Sequence, residues 1–243
     1  MRIATYNIGD YTGRGFERGS VEGIEAFREA ISKTKADFWG LQEDVCCYGD
    51  KEGLYPYNII YNDYKKYERC GSHRYNYKAF LTNQPLANVR RVFYYGDRIF
   101  NHPWFLAGEA ILDGKSVTVV TLHFDWQDND TRTEQIKQVI DFILKSEYAI
   151  VLGDFNPCDY KGGVKISDEG THIEDCRHFT DAGLNIANCG KFGTFHTFID
   201  TPRYPAPIDN IVTTPNISID NVGTVQEPWM YDHAILWADI SFK

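Results

Sequence analysis

The sequence contains no apolar run approaching the roughly 20 residues that a membrane-crossing helix requires, so no such span is predicted. The opening strand pattern starts at Arg2. That leaves no room for a signal peptide ahead of it and predicts a cytoplasmic protein, unless a leader has been removed. Six cysteines (Cys46, Cys47, Cys70, Cys158, Cys176, Cys189) fall at irregular spacings without a C-x-x-C pair, which argues against a zinc or dithiol redox site. Free thiols are expected, with oxidation of Cys46, Cys47 or Cys158 as the minority alternative. Positive charge is also short. With 25 Lys and Arg against 34 Asp and Glu, the formal net charge is -9, which disfavours non-specific adhesion to nucleic acid or anionic membranes but leaves room for a local basic groove. Linkers and low-complexity segments are absent, and 243 residues suffice for a full core. A single domain over residues 1–243 is expected, monomeric by default.

What the chain does hold is 43% hydrophobic and 15% aromatic residues at a mean hydropathy of -0.41. Residues 1–8 alternate as a strand that ends at Asn7, and Val21, Ile24, Phe27 and Ile31 follow helical spacing with Ser20 as N-cap. A second strand from Asp37 then delivers Glu43 at its end. Asp113-Gly114 reads as the tight turn of a hairpin whose second strand, Val117 to Leu122, is almost wholly apolar or β-branched and leads to His123. Ile136, Val139, Ile140, Ile143 and Leu144 predict a helix, with Thr131 and Glu134 as its capping box. Ala149-Ile150-Val151-Leu152 reads as a strand buried on both faces, stopping at Gly153-Asp154-Phe155-Asn156-Pro157. A short helix near 172–182 and strands near 194–199, 208–214, 217–225 and 234–242 complete the pattern. Two sheets packed face to face, with helices outside, would account for it.

The strand-helix-strand order occurs twice, in 1–43 and in 117–154, and each strand leaves a polar group at its C-terminal edge, where open α/β sheets gather ligands. The edge residues are Asn7, Glu43, His123, Asp154, Asn156, Asp209, Asp232 and His233. Each has an ordinary explanation alone: Asp154 and Asn156 favour turns, Glu43 can be a solvated edge charge, and Asp209 with His233 can pin two strands. Collected on one edge, they suit a hard divalent cation held by Glu43, Asp232 and the Asn7 amide, with a carboxylate orienting an imidazole as proton carrier or phosphate clamp.

Ala4-Thr5-Tyr6-Asn7, Leu41-Gln42-Glu43, Thr121-Leu122-His123-Phe124-Asp125, Gly153-Asp154-Phe155-Asn156, Ile208-Asp209-Asn210 and Tyr231-Asp232-His233 resemble, in order, the motifs of the endonuclease/exonuclease/phosphatase family. Gly193-Thr194-Phe195-His196 and the helix carrying Arg132 and Gln135 are similar to its compact bacterial metal-dependent hydrolases. The resemblance implies a four-layered α/β sandwich of two mixed sheets, and hydrolysis of a phosphate ester with magnesium or manganese. It implies Glu43 as principal metal ligand with Asn7 and Asp232 nearby. Asp154 would orient or deprotonate the attacking water, Asn156 would hydrogen-bond a phosphoryl oxygen or that water, and His123 would stabilise phosphoryl charge. Asp209 would hold His233 as general base or transition-state stabiliser.

Two departures stand out. Tyr231 replaces the usual serine before Asp232-His233, and Lys78 stands where some relatives place an acid to pair with the first histidine. Residues 48–78 interleave eight tyrosines with Lys65, Lys66, Arg69, His73, Arg74 and Lys78, either as a nucleic-acid or polyphosphate loop or as a cover over one sandwich edge. Arg74, Lys78 and His196 are the candidate substrate contacts. A small or lipid-derived phosphate ester is the favoured substrate, a DNA or RNA strand the second, and a non-catalytic phosphate-binding module the third reading.

Overall fold

A computed structural model describes residues 1–9, 21–43, 66–70, 77–96, 102–157, 160–161, 164–165, 171–195, 206–226 and 232–243. Arg74, His196, Trp229, Tyr231, the N-cap proposed at Ser20 and most of the tyrosine-rich segment lie outside the described residues. In chain order the elements begin with β1 (Arg2–Asn7), α1 (Val21–Thr34), β2 (Phe38–Gln42), β3 (Lys66–Cys70), β4 (Lys78–Thr82) and β5 (Leu86–Phe93). The hairpin β6 (Trp104–Leu112) and β7 (Lys115–His123) follows, then α2 (Asn129–Ile143) and β8 (Ala149–Asp154). The remainder is β9 (Tyr160–Lys161), β10 (Val164–Lys165), α3 (Thr171–Asp181), β11 (Asn185–Ile186), β12 (Asp209–Thr213), β13 (Ile217–Val225) and β14 (Ile235–Phe242).

Both strand-helix-strand units form as the periodicity predicts. β1 and β2 pair in parallel from Ile3 opposite Phe38 to Asn7 opposite Gln42, and β7 and β8 from Thr118 opposite Ala149 to His123 opposite Asp154. The remaining pairs are antiparallel, giving two mixed six-stranded sheets, β13-β14-β1-β2-β4-β3 and β11-β12-β8-β7-β6-β5. Ala149–Asp154 is buried along its whole length because it runs between β7 and β12 with both faces covered. Asp113 and Gly114 both take positive φ, 51° and 78°, as a two-residue hairpin turn demands.

Three apolar layers hold the stack together. Ala30 and Ile31 of α1 pack with Tyr6, Trp39 and Leu41 outside the first sheet. Ile3, Phe38, Phe80, Trp104, Leu106, Ile150 and Leu152 fill the space between the sheets. Ile136, Val139, Ile140 and Ile143 of α2, with Phe179 of α3, cover the outer face of the second sheet against Val120, Leu122 and Val151. The result is the α/β four-layered sandwich. The sheets approach closely at β2 and β8, where a Cβ on Gly40 would lie 2.6 Å from Leu152 Cβ. Nearby, the buried Gln42 amide reaches Thr121 Oγ1 at 2.8 Å, a polar tie between the sheets.

Two local expectations change. The cap of α2 is Asp128, not Thr131: its side chain accepts from the Thr131 N–H at 2.7 Å with φ -131° and ψ 117°, the extended geometry of an N-cap. Asp125 Oδ1 accepts from the N–H groups of Gln127 and Asp128, so the turn that places Asp128 is built by the acid that closes the His123 motif. Near 194–199 only the isolated bridges of Phe195 are described, to Ala206 and His233.

Candidate functional site

The topology explains why the polar residues meet. β1, β2, β7 and β8 end on the same edge of the sandwich; β4, β12 and β14 run antiparallel to them and therefore begin there. Asn7, Glu43, His123 and Asp154 arrive at strand ends, while Lys78, Asp209 and the Asp232-His233 pair arrive at strand starts. Asp209 is the register partner of Asp154.

Asp154 Oδ2 is the hub. The Asn7 amide donates to it at 3.1 Å across the gap between sheets, His123 Nε2 lies 3.4 Å away and His233 Nε2 3.7 Å away. Its other oxygen accepts from the Asn156 N–H at 3.0 Å. The Asn7 amide also reaches Glu43 Oε1 at 3.3 Å, so one N–H-bearing group sits between two carboxylates, where positive charge is wanted. Asn7 Oδ1 accepts from the Gly9 N–H. The Asp232 carboxylate lies against Gly9, which places it beside the end of β1. Glu43 and Asn156 both stand at positive φ, 52° and 45°, a conformation that non-glycine residues adopt at a cost and that collects at functional sites.

His233 Nδ1 is 2.9 Å from Asp209 Oδ2, and both residues are buried. The Asp209 N–H donates to Thr194 Oγ1 and its carbonyl accepts from the Asn188 amide, so the carboxylate is fixed from both sides of its own backbone. Burial lowers the His233 pKa, but the charge of Asp209 and its hydrogen bond, with Asp154 and Asp232 adding to them, outweigh it and carry the imidazole up to about 10. Asp154 moves the opposite way to an ordinary acid. Burial pushes its carboxyl up to about 8, Asp209 adds to the rise, and His233, Asn7 and Asn156 oppose it.

His123 differs from His233. Burial first, then the positive neighbours His102, Lys78 and His233, hold its pKa well below the usual histidine range, so it is a neutral ring. His102 stacks on it with centroids 3.8 Å apart and planes at 24°. Gln135 of α2 fixes that stack by donating to the His102 carbonyl and accepting from the Asp125 N–H. Lys78 opens β4, wholly buried, with Nζ 4.1 Å above the Trp104 ring. Burial brings its pKa down to about 7 against the opposing charge of Glu43.

Of the residues expected from sequence, Asn7, Glu43, His123, Asp154, Asn156, Asp209 and His233 come together by these contacts, with Asp232 alongside Gly9 and Lys78 close enough for its charge to act on Glu43 and His123. Asn156 turns its amide to the Phe124 carbonyl at 3.2 Å. Arg74 and His196 lie outside the described residues. Arg132 is not a site residue: it is fully buried and bonded to Asp175 of α3 at 2.7 Å. His102 and Thr194 act on the site without having been marked for it, because each touches a site residue only through the fold. Asp154, Asp209 and His233 bring ligand atoms within 4.8 Å of one another, a group with the composition and spacing to hold a metal ion.

The endonuclease/exonuclease/phosphatase family profile matches residues 4–231. No curated protein matches the chain. Among solved structures, an endonuclease/exonuclease/phosphatase from Beutenbergia cavernae shares 14% identity at TM-score 0.75, over 100% of this chain and 71% of that one. One from Bacteroides vulgatus shares 19% identity at TM-score 0.68, over 100% and 98%. A 3' phosphatase from Neisseria bound to product DNA hairpin shares 16% identity at TM-score 0.72, over 100% of both chains. At such identities these structures establish the fold, and the family match extends from Ala4 at the first strand to Tyr231 beside the last histidine. The chain therefore belongs to the endonuclease/exonuclease/phosphatase family, whose members are phosphoesterase hydrolases.

Proposed function

We propose that this single catalytic domain, spanning residues 1–243, hydrolyses a phosphate ester with a divalent cation, by attack of a water that Asp154 orients or deprotonates. The observation that carries the reading is the convergence on Asp154 Oδ2 of an amide, a neutral histidine and a histidine raised by Asp209. Phosphoryl transfer asks for positioning and charge neutralisation more than for covalent chemistry. A divalent cation, when bound, supplies positive charge to the phosphoryl oxygens and leaving group.

The oxygen set of Glu43, Asp232 and Asn7 suits magnesium or manganese, which favour carboxylate and amide oxygens. The atom Asn7 would offer is Oδ1, which accepts from the Gly9 N–H beside the Asp232 carboxylate, while its NH2 group serves Glu43 and Asp154. His233 is less suited to a hard cation: its Nδ1 is spent on Asp209, which leaves Nε2 to hold a proton towards Asp154 and the phosphoryl group. Asn156 presents its amide to a phosphoryl oxygen on release from Phe124, and His123 donates a neutral N–H. Irregular cysteine spacing and free thiols at Cys176 and Cys189 favour a reducing, cytoplasmic setting.

A small or lipid-derived ester suits the net charge of -9. A nucleic-acid strand is the second reading, favoured by Arg90 and Arg91 with Phe93 and Tyr95, 60% and 69% exposed, at the edge strand β5. A magnesium-dependent screen over phosphodiesters, phosphomonoesters, inositol phosphates and oligonucleotides tests both. Turnover of none of them overturns the hydrolase reading, and oligonucleotide cleavage that weakens steeply with salt favours the second.

A further inference from the structure

Lys78 is the one site residue whose chemistry the hydrolytic scheme leaves unused. A wholly buried ammonium normally has a carboxylate or carbonyls on its three N–H donors. Lys78 Nζ has no hydrogen-bond partner among the described residues. It is held instead by the face of Trp104 at 4.1 Å, a contact that attracts the cation without consuming a donor. The placement is not accidental to the sheet: Lys78 is the register partner of Gln42, directly before Glu43, and begins β4 on the edge where β1, β2, β7 and β8 end. Its charge acts on both Glu43 and His123. A cation with free donors, near enough to act on both the proposed metal ligand and a neutral histidine, is built to receive an anion.

Lys78 adds one more group on that edge with donors to offer a phosphoryl oxygen. Besides Asp154, the same edge carries three further groups: the proposed cation ligand Glu43 after β2, His233 before β14, and Lys78 at the start of β4. A phosphomonoester presents three strong acceptor oxygens and, near neutral pH, close to two negative charges. A diester has one non-bridging oxygen and one charge fewer. We propose that Lys78 binds a non-bridging oxygen of a terminal phosphate, and that the substrate class of this site is accordingly a phosphomonoester. This deepens the hydrolase reading and rests on it.

The test compares the wild type with Lys78→Met, which keeps the unbranched apolar stem of the side chain and removes the ammonium. p-Nitrophenyl phosphate and bis(p-nitrophenyl) phosphate share a leaving group and differ in the number of ester bonds. With magnesium present, kcat/KM of the wild type should favour the monoester, and Lys78→Met should lose at least tenfold more on the monoester than on the diester. Inorganic phosphate, titrated calorimetrically into the magnesium-loaded proteins, should bind the variant at least tenfold more weakly. Equal losses on both esters, or unchanged phosphate binding, overturn the assignment. Should neither ester turn over, phosphate binding that depends on Lys78 still supports the assignment, and it is the hydrolase reading that fails. Thermal melting of Lys78→Met checks folding; since a buried charge without partners is removed, its Tm should equal or exceed that of the wild type.

Discussion

Asp154 and Asp209 face each other as register partners on adjacent strands, and His233 touches both, at 2.9 Å through Nδ1 and 3.7 Å through Nε2. Two buried carboxylates side by side are tolerable because one imidazolium lies between them. In the proposed reaction the order Asp209, His233, Asp154 offers a path for the proton.

Removing the orienting acid should break that path. Asp209→Asn leaves the shape but loses the charge that holds the imidazole protonated, and kcat should fall by about 10²–10⁴-fold, the range of general acid–base contributions, with KM nearly constant. Steady-state kinetics on a chromogenic phosphate ester measures it. His233→Ala should fall equally far, and near-normal turnover by either variant contradicts the mechanism.

Asp154→Asn should abolish hydrolysis while the circular dichroism spectrum stays native, since the Asn156 N–H keeps an acceptor oxygen at that position. Exhaustive chelation should do the same to the wild type, and added magnesium should restore activity. Glu43→Gln should raise the magnesium concentration needed for half-maximal rate, because a neutral amide holds a hard cation less well.

Stability of the metal-free protein should decline as the solution becomes alkaline. His233 ionises at about 10 when folded against 6.5 for the free side chain, so its contribution is complete below about pH 6.5 and is lost as pH rises towards 10. Asp154, raised from 3.8 to about 8, acts in the same direction: the folded form holds its proton longer, and a penalty grows between those values. Melting temperatures across pH 4 to 10 should fall, with a flatter upper limb in His233→Ala.

Arg132 and Asp175 join α2 to α3 as a buried pair at 2.7 Å. Arg132→Ala should cost about 3–5 kcal/mol, because it strands a buried carboxylate. Replacing both partners by leucine should cost less than either single change. Urea titrations of the three variants decide it.

Gly40→Ala should destabilise by about 1–3 kcal/mol, the usual cost of overpacking, since the new methyl would meet Leu152 Cβ at 2.6 Å. Activity should fall with it, because Glu43 and Asp154 stand just past the same close approach.

The parts of the fold legible in the sequence are those where local chemistry and tertiary packing agree. Ala149 to Leu152 is apolar because both faces are covered, and Asp113-Gly114 turns because both residues accept positive φ. Leu86–Phe93 gives no such signal: it is an edge strand with a register shift between Ala87 and Arg90, mostly exposed and without alternation. Nothing local in the sequence pairs Arg132 with Asp175, which arrives from another helix. The site was readable as a row of strand ends because parallel pairing carries such ends to one edge. The stack of His102 on His123 was not, since only the fold brings the two rings together.

The Asn7 amide spans from one sheet to Asp154 on the other, and this makes the site a gauge of the spacing between the layers. A small swelling of the core, by pressure, mild denaturant or a cavity near Leu152, separates Asn7 and Glu43 from Asp154 and His123 before any strand melts. Turnover should then fail at lower stress than secondary structure, so that catalysis reports on the breathing of the sandwich interior.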